Sequence, residues 1–173
     1  MTPPLIVVGG VAGCGKTTLA AAIAAAAGLP FRDGDELHPP ANVAKMAAGN
    51  PLTDADRAPW LAACAAQLAA WGAAGSGGVI SASALKRQYR DTLYAAHPSV
   101  RYVLISITPA LAVIRAKART KSGSGHFWPA ALTASQFAIL ELPAPDEGAV
   151  VVAANWPTPR QVGAVLSDLN QLR

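Results

Sequence analysis

The sequence predicts an α/β fold, with a parallel five-stranded sheet that carries helices on both faces. Three observations lead to it. The apolar run 5–8 enters the glycine-rich loop 10–17, and the alanine-rich segment 18–27 follows, which is the order strand, loop, helix. Strand-like and helix-like segments then alternate along the chain, and such alternation favours parallel strands. The 173 residues, 52% of them apolar, suit one core, so we expect a single domain over 1–173.

Local signals place the individual elements. Thr53 with an acid three positions later resembles a capping box, and Pro109 occupies the first-turn position that proline favours in helices. Short apolar runs predict strands over 5–8, 31–35, 79–83, 101–107 and 148–153. Periodicity predicts helices over 18–27, 41–48, 53–71, 84–91, 109–119, 129–140 and 158–172. On the third of these helices the apolar spacing indicates a core face, formed by Trp60, Leu61, Cys64, Leu68 and Trp71.

Composition excludes several classes of function. The net charge is +4 and the pI is near 9.4, but the basic residues gather in two short segments, 86–90 and 115–121, without a long basic stripe. Small polyanionic substrates explain them more simply than nucleic acid. No apolar stretch reaches the ~20 residues of a membrane span, and residues 1–9 carry no basic leader, so we expect a cytoplasmic protein. Cys14 and Cys64 are expected to be free thiols.

The loop 10–17 has the residues of a phosphate-binding loop. Glycines let several backbone N–H groups point into one concavity at the positive end of the next helix. Lys16 can reach the β- and γ-phosphates of a nucleotide, and the Thr17 hydroxyl is placed to bind Mg²⁺. The alternative is a glycine-rich turn before a helix that has only a structural role. Because the strand and helix that the motif requires flank it, we interpret the loop as a nucleoside triphosphate site.

Two carboxylates follow the second predicted strand. In an extended segment Asp33 and Asp35 point to the same side, towards the phosphate loop. Either they take part in catalysis, or Asp33, Gly34 and Asp35 serve only the geometry of a turn. Their spacing leaves both alternatives open.

Basic residues could contact anions elsewhere. Lys86 and Arg90 are four apart and share a helix face, which we assign to the site, whereas Arg87 and Asp91 share another face and can pair. Arg57 either pairs with nearby acids or contacts an anion at the mouth of the site. Arg115 and Arg119 are also four apart, and they lead into a basic glycine-serine segment that looks like a lid.

Several motifs in order resemble the gluconokinases, small P-loop kinases related to shikimate and adenylate kinases. The motifs are Asp33-Gly34-Asp35-Glu36-Leu37-His38-Pro39, Asn42 through Met46, Pro51 through Trp60, Ser83 through Arg87 with Tyr89-Arg90-Asp91, and Gly125-His126-Phe127 with Ser135-Gln136-Phe137. The resemblance spans nearly the whole chain. It implies a P-loop kinase fold with a small lid at about 115–130 and an acceptor-binding helical region at about 36–75. It also implies ATP, Mg²⁺, D-gluconate as acceptor and a homodimer.

The expected site residues come from the residue patterns and from the family resemblance together. The nucleotide-binding set is Gly10, Val11, Ala12, Gly13, Cys14, Gly15, Lys16, Thr17, Thr18, Arg115 and Arg119, with Thr17 on the metal. The acceptor-binding set is Asp33, Asp35, His38, Arg57, Lys86, Arg90, His126 and Gln136. Catalysis is assigned to Lys16, Asp35 and Asp33. Asp35 orients the 6-hydroxyl and accepts its proton, and Asp33 either shares that task or contacts Mg²⁺ through water.

Two departures from the family pattern stand out. Ser122-Gly123-Ser124 lengthens the lid, and an acidic residue often found near Ala153 and Ala154 is missing.

Two rival functions are weighed against gluconate phosphorylation. One is a related kinase for shikimate, adenylylsulfate or a nucleotide, which the 33–39 motif disfavours. The other is a nucleotide-dependent switch, which would need neither paired aspartates nor a lid.

Overall fold

The computed structural model describes residues 3–121 and 130–171. Within those ranges its sheet has five parallel strands in the order β2-β3-β1-β4-β5. The strands are β1 Leu5–Gly9, β2 Phe31–Asp33, β3 Gly78–Ser81, β4 Val100–Ser106 and β5 Val150–Ala153. All residues of β1 are buried, as expected for the central strand of a sheet covered on both faces. The predicted fold class is confirmed.

Seven α-helices lie within the described ranges, six of them between strands and one after the last strand. They are α1 Lys16–Ala27, α2 Pro40–Ala47, α3 Asp54–Ala73, α4 Arg87–Tyr94, α5 Pro109–Lys121, α6 Ala130–Ile139 and α7 Thr158–Gln171. Each overlaps a predicted helix. The Thr53 capping box is present, because the Thr53 and Asp56 side chains each accept a hydrogen bond from the other's backbone N–H. None of these helices combines the length and apolarity that crossing a bilayer requires.

Several predicted boundaries differ from the structure, and two of them lie beside predicted site residues. The helix expected from Ala84 begins only at Arg87, because Lys86 is its N-cap and has extended backbone dihedrals (φ −93, ψ 153). The strand expected to reach Asp35 ends at Asp33, where a short 3-10 helix, Gly34–Leu37, takes over. Both changes follow the carboxyl ends of strands. There the chain leaves the sheet, and side-chain contacts replace the backbone hydrogen bonds between strands.

The apolar residues form one cluster on each face of the sheet. Alternate residues of β1 point to opposite faces, so Ile6 and Val8 pack with α1 and α7, while Leu5 and Val7 pack with α3 and α4. The predicted core face of α3 is confirmed for its four buried members, Trp60, Leu61, Cys64 and Leu68, while Trp71 is half-buried. Cys14 and Cys64 are both buried, and neither forms a disulfide in the described part of the chain, in agreement with the prediction of two thiols.

Candidate functional site

The loop between β1 and α1 has the geometry of an anion cradle. Gly15 is the N-cap of α1 in the left-handed region (φ 104, ψ 23), and as a glycine it offers that helix no side-chain cap. The first N–H groups of α1 are therefore left for a ligand, at the positive end of the helix. Gly10 also has positive φ (137), and a Cβ there would lie 2.9 Å from the Ile105 carbonyl oxygen. Only glycine fits this close crossing of β4.

Lys16 and Gln136 hold the same part of the loop. The Lys16 Nζ donates to the Val11 carbonyl at 3.3 Å, and the Ala12 N–H donates to the Gln136 Oε1 at 2.6 Å. Gln136 lies on α6 and is only 7% exposed. The sequence predicted Gln136 as an acceptor contact, but the structure places its side-chain oxygen against the phosphate loop.

Asp33 ties three segments together. Its Oδ2 accepts from the Thr17 hydroxyl at 3.1 Å, and its Oδ1 accepts from the Ser81 hydroxyl at 2.9 Å and from the Asp35 N–H at 3.1 Å. The carboxylate thus joins the phosphate loop, the end of β3 and the turn after β2. Hydroxyl and carboxylate oxygens are the donors that Mg²⁺ prefers, so the pair Thr17 and Asp33 fits a nucleotide-bound Mg²⁺.

Asp35 reaches the site in a different way from the one expected. It lies in the 3-10 helix and not in an extended segment, so strand alternation does not set its direction. Gly34 allows that turn, because a Cβ there would lie 2.2 Å from the Ser81 carbonyl oxygen. The Asp35 side chain is exposed, and within the described ranges no group donates a hydrogen bond to its carboxylate. That carboxylate remains available to a hydroxyl group.

His38 is held in a defined orientation beside this turn. Its ring stacks on Trp60 with centroids 4.6 Å apart and an interplanar angle of 12°, and the Trp60 Nε1 donates to the Gly34 carbonyl at 2.8 Å. The Asn42 amide lies 3.3 Å from His38 Nδ1; when that amide donates, the ring proton is on Nε2. Burial lowers the pKa of His38, opposed by Asp35 and assisted by Arg57. The neutral ring can donate one hydrogen bond.

Two cations meet over one aromatic ring. The Arg57 guanidinium carbon lies 5.7 Å and the Lys86 Nζ 5.5 Å from the centroid of Tyr89. Asp54 binds the Lys86 Nζ through both carboxylate oxygens, at 2.8 and 2.9 Å, and also accepts from the Tyr89 hydroxyl. The Lys86 hydrogen bond holds the pKa of Asp54 down to about 2. Arg57 also donates to the Leu52 carbonyl. The side chains form a positive corner that can receive a carboxylate.

Arg90 lies apart from Arg57 and Lys86 and does not contribute to the positive corner. Its side chain is 1% exposed and binds the equally buried Glu147 through two hydrogen bonds of 2.5 and 2.8 Å. It also donates to the carbonyls of Leu85 and Glu141. With these partners the guanidinium has a structural role, which corrects its assignment to the acceptor. The predicted Arg87 pair with Asp91 is present at 2.8 Å.

The nucleotide side of the site involves Arg115. It donates to the Cys14 carbonyl at 3.1 Å and to the Ala154 carbonyl at 2.8 Å, and so bridges the phosphate loop and the segment after β5. Arg119 lies on α5, but its side chain is outside the described part of the chain. His126 and the Ser122-Gly123-Ser124 insert also lie outside the described residues. Thr17 and Thr18 are exposed in the first turn of α1.

Sequence reasoning missed three contributors to this geometry. Ser81 fixes Asp33, Asn42 fixes His38, and Asp54 fixes Lys86. Ser81 could have been found, because it ends a buried strand beside Asp33. The contact of Asn42 with His38 joins residues four positions apart and could also have been found. The pair of Asp54 and Lys86 joins residues 32 positions apart, for which the sequence carries no local signal.

Comparison with known proteins tests the resemblance. The chain matches no protein-family model. It is 46% identical over 153 residues to the gluconokinase of Gluconobacter oxydans (strain 621H), which covers 88% of this chain and 84% of that protein. A gluconokinase structure from Sinorhizobium meliloti 1021 superposes with a TM-score of 0.86 at 40% identity, covering 99% of this chain and 94% of that one.

More distant structures share only the architecture. The APS kinase of Mycobacterium tuberculosis superposes with a TM-score of 0.68 at 16% identity, covering 97% of this chain and 99% of that one. A kinase for a different acceptor thus has the same fold, and fold alone does not identify the acceptor. Sequence identity does separate the two kinds of kinase, because it is 46% over most of the Gluconobacter gluconokinase and only 16% to the APS kinase. On that ground, and with the phosphate loop and the aspartate turn in place, the chain belongs to the gluconokinase family.

Proposed function

We propose that the protein transfers the γ-phosphoryl group of ATP to the 6-hydroxyl of D-gluconate and forms 6-phospho-D-gluconate. The observation that carries this is the link from Thr17 through Asp33 to the turn that presents Asp35. It puts a candidate metal ligand of the phosphate loop and a candidate base for the acceptor on one connected structure. Family membership identifies the acceptor, since the relatives are named gluconokinases.

The nucleotide is proposed to bind with its phosphates on the 10–18 loop and its Mg²⁺ at Thr17. When bound, Mg²⁺ supplies positive charge to the phosphates. Phosphoryl transfer has a loose transition state, so the main tasks are alignment and charge neutralisation. Lys16 brings an ammonium to the loop, and Asp33 holds the Thr17 hydroxyl in place. Arg115, Arg119 and the lid at about 115–130 are proposed to close over the nucleotide.

The acceptor is proposed to lie between the aspartate turn and the positive corner. Asp35 accepts the proton of the 6-hydroxyl, since its carboxylate is exposed and carries no competing hydrogen bond from the described residues. Lys86 and Arg57 receive the carboxylate of gluconate, and His38 donates to a hydroxyl. His126 is retained as a proposed acceptor contact. The region at about 36–75 then forms the acceptor-binding wall of a single domain.

Two further properties are proposed: a homodimer, which the family resemblance implies, and the cytoplasmic location expected from the sequence. Light scattering on the purified protein tests the first, and imaging of a tagged chain in cells tests the second. A monomer at micromolar concentration would refute the proposed dimer.

A coupled assay of ADP release tests the function. The panel holds D-gluconate, other sugar acids, shikimate, adenylylsulfate and nucleotides, each with ATP and Mg²⁺. We expect turnover with gluconate, and product analysis places the phosphate on the 6-hydroxyl. Lys16→Ala serves as control and should lose at least ~10²-fold of the rate. Preference for shikimate, adenylylsulfate or a nucleotide would establish the rival kinase. ADP release independent of every acceptor would establish the switch.

A further inference from the structure

One peptide unit of the phosphate loop is held at both ends. The carbonyl of Val11 accepts from the Lys16 Nζ at 3.3 Å, while the N–H of the same peptide, on Ala12, donates to Gln136 Oε1 at 2.6 Å. A peptide unit is planar and its C=O and N–H point in opposite directions. Fixing the N–H with an external acceptor therefore also fixes the direction of the carbonyl that holds Lys16.

Gln136 is suited to act as a rigid support. It lies on α6, 124 positions from Ala12 along the chain, and only 7% of its surface is exposed. Its neighbour Phe137 packs against the core cluster that includes Val11 and Cys14. A buried amide must be hydrogen-bonded to offset its lost hydration. An apolar side chain would fill the same space, so the presence of glutamine there indicates a use for its oxygen.

We propose that Gln136 is a positioning residue for Lys16, which acts through the Val11–Ala12 peptide and makes no contact with the acceptor. Without the Gln136 oxygen the peptide is free to rotate, and two consequences follow. Lys16 loses a fixed carbonyl partner near the phosphate site, and the Val11 carbonyl can turn towards the phosphates and repel them. This inference rests on the proposed use of the loop for ATP, and it replaces the acceptor role that the sequence predicted for Gln136.

Three variants separate this role from others. Gln136→Met keeps the length and removes the acceptor atom. Gln136→Glu keeps an acceptor oxygen but adds negative charge. Gln161→Met is the matched control, because Gln161 is also a buried helical glutamine, 6% exposed, with a 2.8 Å hydrogen bond to a backbone carbonyl, that of Ala153. Each variant is measured for thermal stability, for binding of a non-hydrolysable ATP analogue by calorimetry, and for steady-state kinetics with gluconate.

We expect Gln136→Met to lower kcat and weaken analogue binding, each by about tenfold, as losses of fixed electrostatic contacts do. Its KM for gluconate should stay within about twofold of the unmodified protein, because the acceptor site is untouched. Gln136→Glu should recover most of kcat at saturating ATP, since the oxygen is restored, but keep a raised KM for ATP from charge repulsion. Gln161→Met should lose stability with unchanged kinetic constants.

Two results would overturn the inference. A raised KM for gluconate in Gln136→Met, with unchanged analogue binding, would return the residue to the acceptor site. Loss of stability alone, as large as that of Gln161→Met and without change in kcat or analogue binding, would make the contact purely structural. Analogue binding does not depend on the acceptor. If the unmodified protein left gluconate unphosphorylated while Gln136→Met still bound the analogue more weakly, the proposed function would fail and the positioning role would stand.

Discussion

The hydroxyl of Thr17 donates a hydrogen bond of 3.1 Å to Oδ2 of Asp33, and this contact ties the start of α1 to the end of β2. Asp33 also accepts a hydrogen bond of 3.1 Å from the backbone N–H of Asp35, whose own carboxylate is exposed. We therefore propose separate tasks for the two aspartates: Asp33 supports the metal ligand Thr17, and Asp35 faces the acceptor. Their variants should behave differently.

Asp33→Asn should raise the free Mg²⁺ concentration needed for half-maximal rate by about tenfold or more, as loss of a partner behind a metal ligand commonly does. The amide keeps the shape of the side chain but removes its charge. The shift is measured by following the reaction rate as a function of free Mg²⁺ concentration at saturating ATP. Ser81→Ala is the control, because it removes a different hydrogen bond to Asp33 and keeps the charge. Superimposable Mg²⁺ curves for Asp33→Asn and the unmodified protein would contradict the assignment.

Asp35→Asn should lower kcat by about 10² to 10⁴, since the base for the 6-hydroxyl is lost. The Mg²⁺ curve and ATP analogue binding should stay unchanged. Single-turnover kinetics with gluconate measures the chemical step. Glu36→Gln is the matched control: this neighbouring carboxylate is also exposed and pairs with Arg32 at 3.3 Å. Equal rates for the Asp35 and Glu36 variants would remove Asp35 from the mechanism.

Lys86→Met should raise the KM for gluconate by about tenfold or more, because a hydrogen bond between charged groups contributes ~1.5–3 kcal/mol. The KM for ATP should change little. Arg87→Met, at the next position, provides the comparison, since its guanidinium binds Asp91 and Asp146. Steady-state kinetics with each substrate varied in turn decides the matter. An effect on ATP alone would place Lys86 on the nucleotide side.

The buried pair of Arg90 and Glu147 should matter for stability and not for turnover. Arg90→Met leaves the Glu147 carboxylate buried without its partner, which costs ~3–5 kcal/mol of unfolding free energy. Urea unfolding at neutral pH measures it. The double variant Arg90→Met, Glu147→Leu removes both charges and should recover much of the loss. If Arg90→Met raised the KM for gluconate while stability stayed unchanged, Arg90 would belong to the acceptor site after all.

The pair of Arg90 and Glu147 also predicts that the protein loses stability at acidic pH. The hydrogen bond from Arg90 lowers the pKa of Glu147 in the folded protein, so between the two pKa values the unfolded chain binds more protons. Unfolding free energy therefore rises with pH in that window. The contribution is complete above the unfolded pKa of about 4.3 and is lost as pH falls through the folded pKa. Urea unfolding from pH 6 downwards should show a shallower decline for Glu147→Gln; parallel profiles would count against it.

The features that the sequence predicted well have local causes. The phosphate loop, the strand β1 and the Thr53 capping box each depend on a few consecutive residues, and all are present. The turn at Asp35 was one of two alternatives that the sequence left open, because two nonlocal contacts create it. Asp33 is held by Ser81, 48 positions away, and Gly34 passes against the same residue.

The contacts of Arg90 and Gln136 were missed for the same reason. Helical spacing predicted that Arg90 and Lys86 share one face of a helix, but Lys86 is the N-cap of α4 and binds Asp54. Arg90 binds Glu147, which lies 57 positions away, and spacing cannot predict such a partner. Gln136 was placed near the site from its motif, yet only the packing of α6 on the loop decides which atom it contacts. Periodicity predicts which side chains are covered and leaves their partners open.

The position of β1 at the centre of the sheet affects how the chain can fold as it is made. Its two neighbours pair with Leu5 from Gly78 on one side and Val100 on the other, and Gly10 fits against Ile105. At a synthesis rate of ~5–20 residues per second, about 5–20 s separate the appearance of β1 from that of β4. Until β3 has been made, the apolar run 5–8 has no partner strand, so it stays exposed in the nascent chain. The phosphate loop is translated before any of its supports and takes its final shape only after most of the chain has followed.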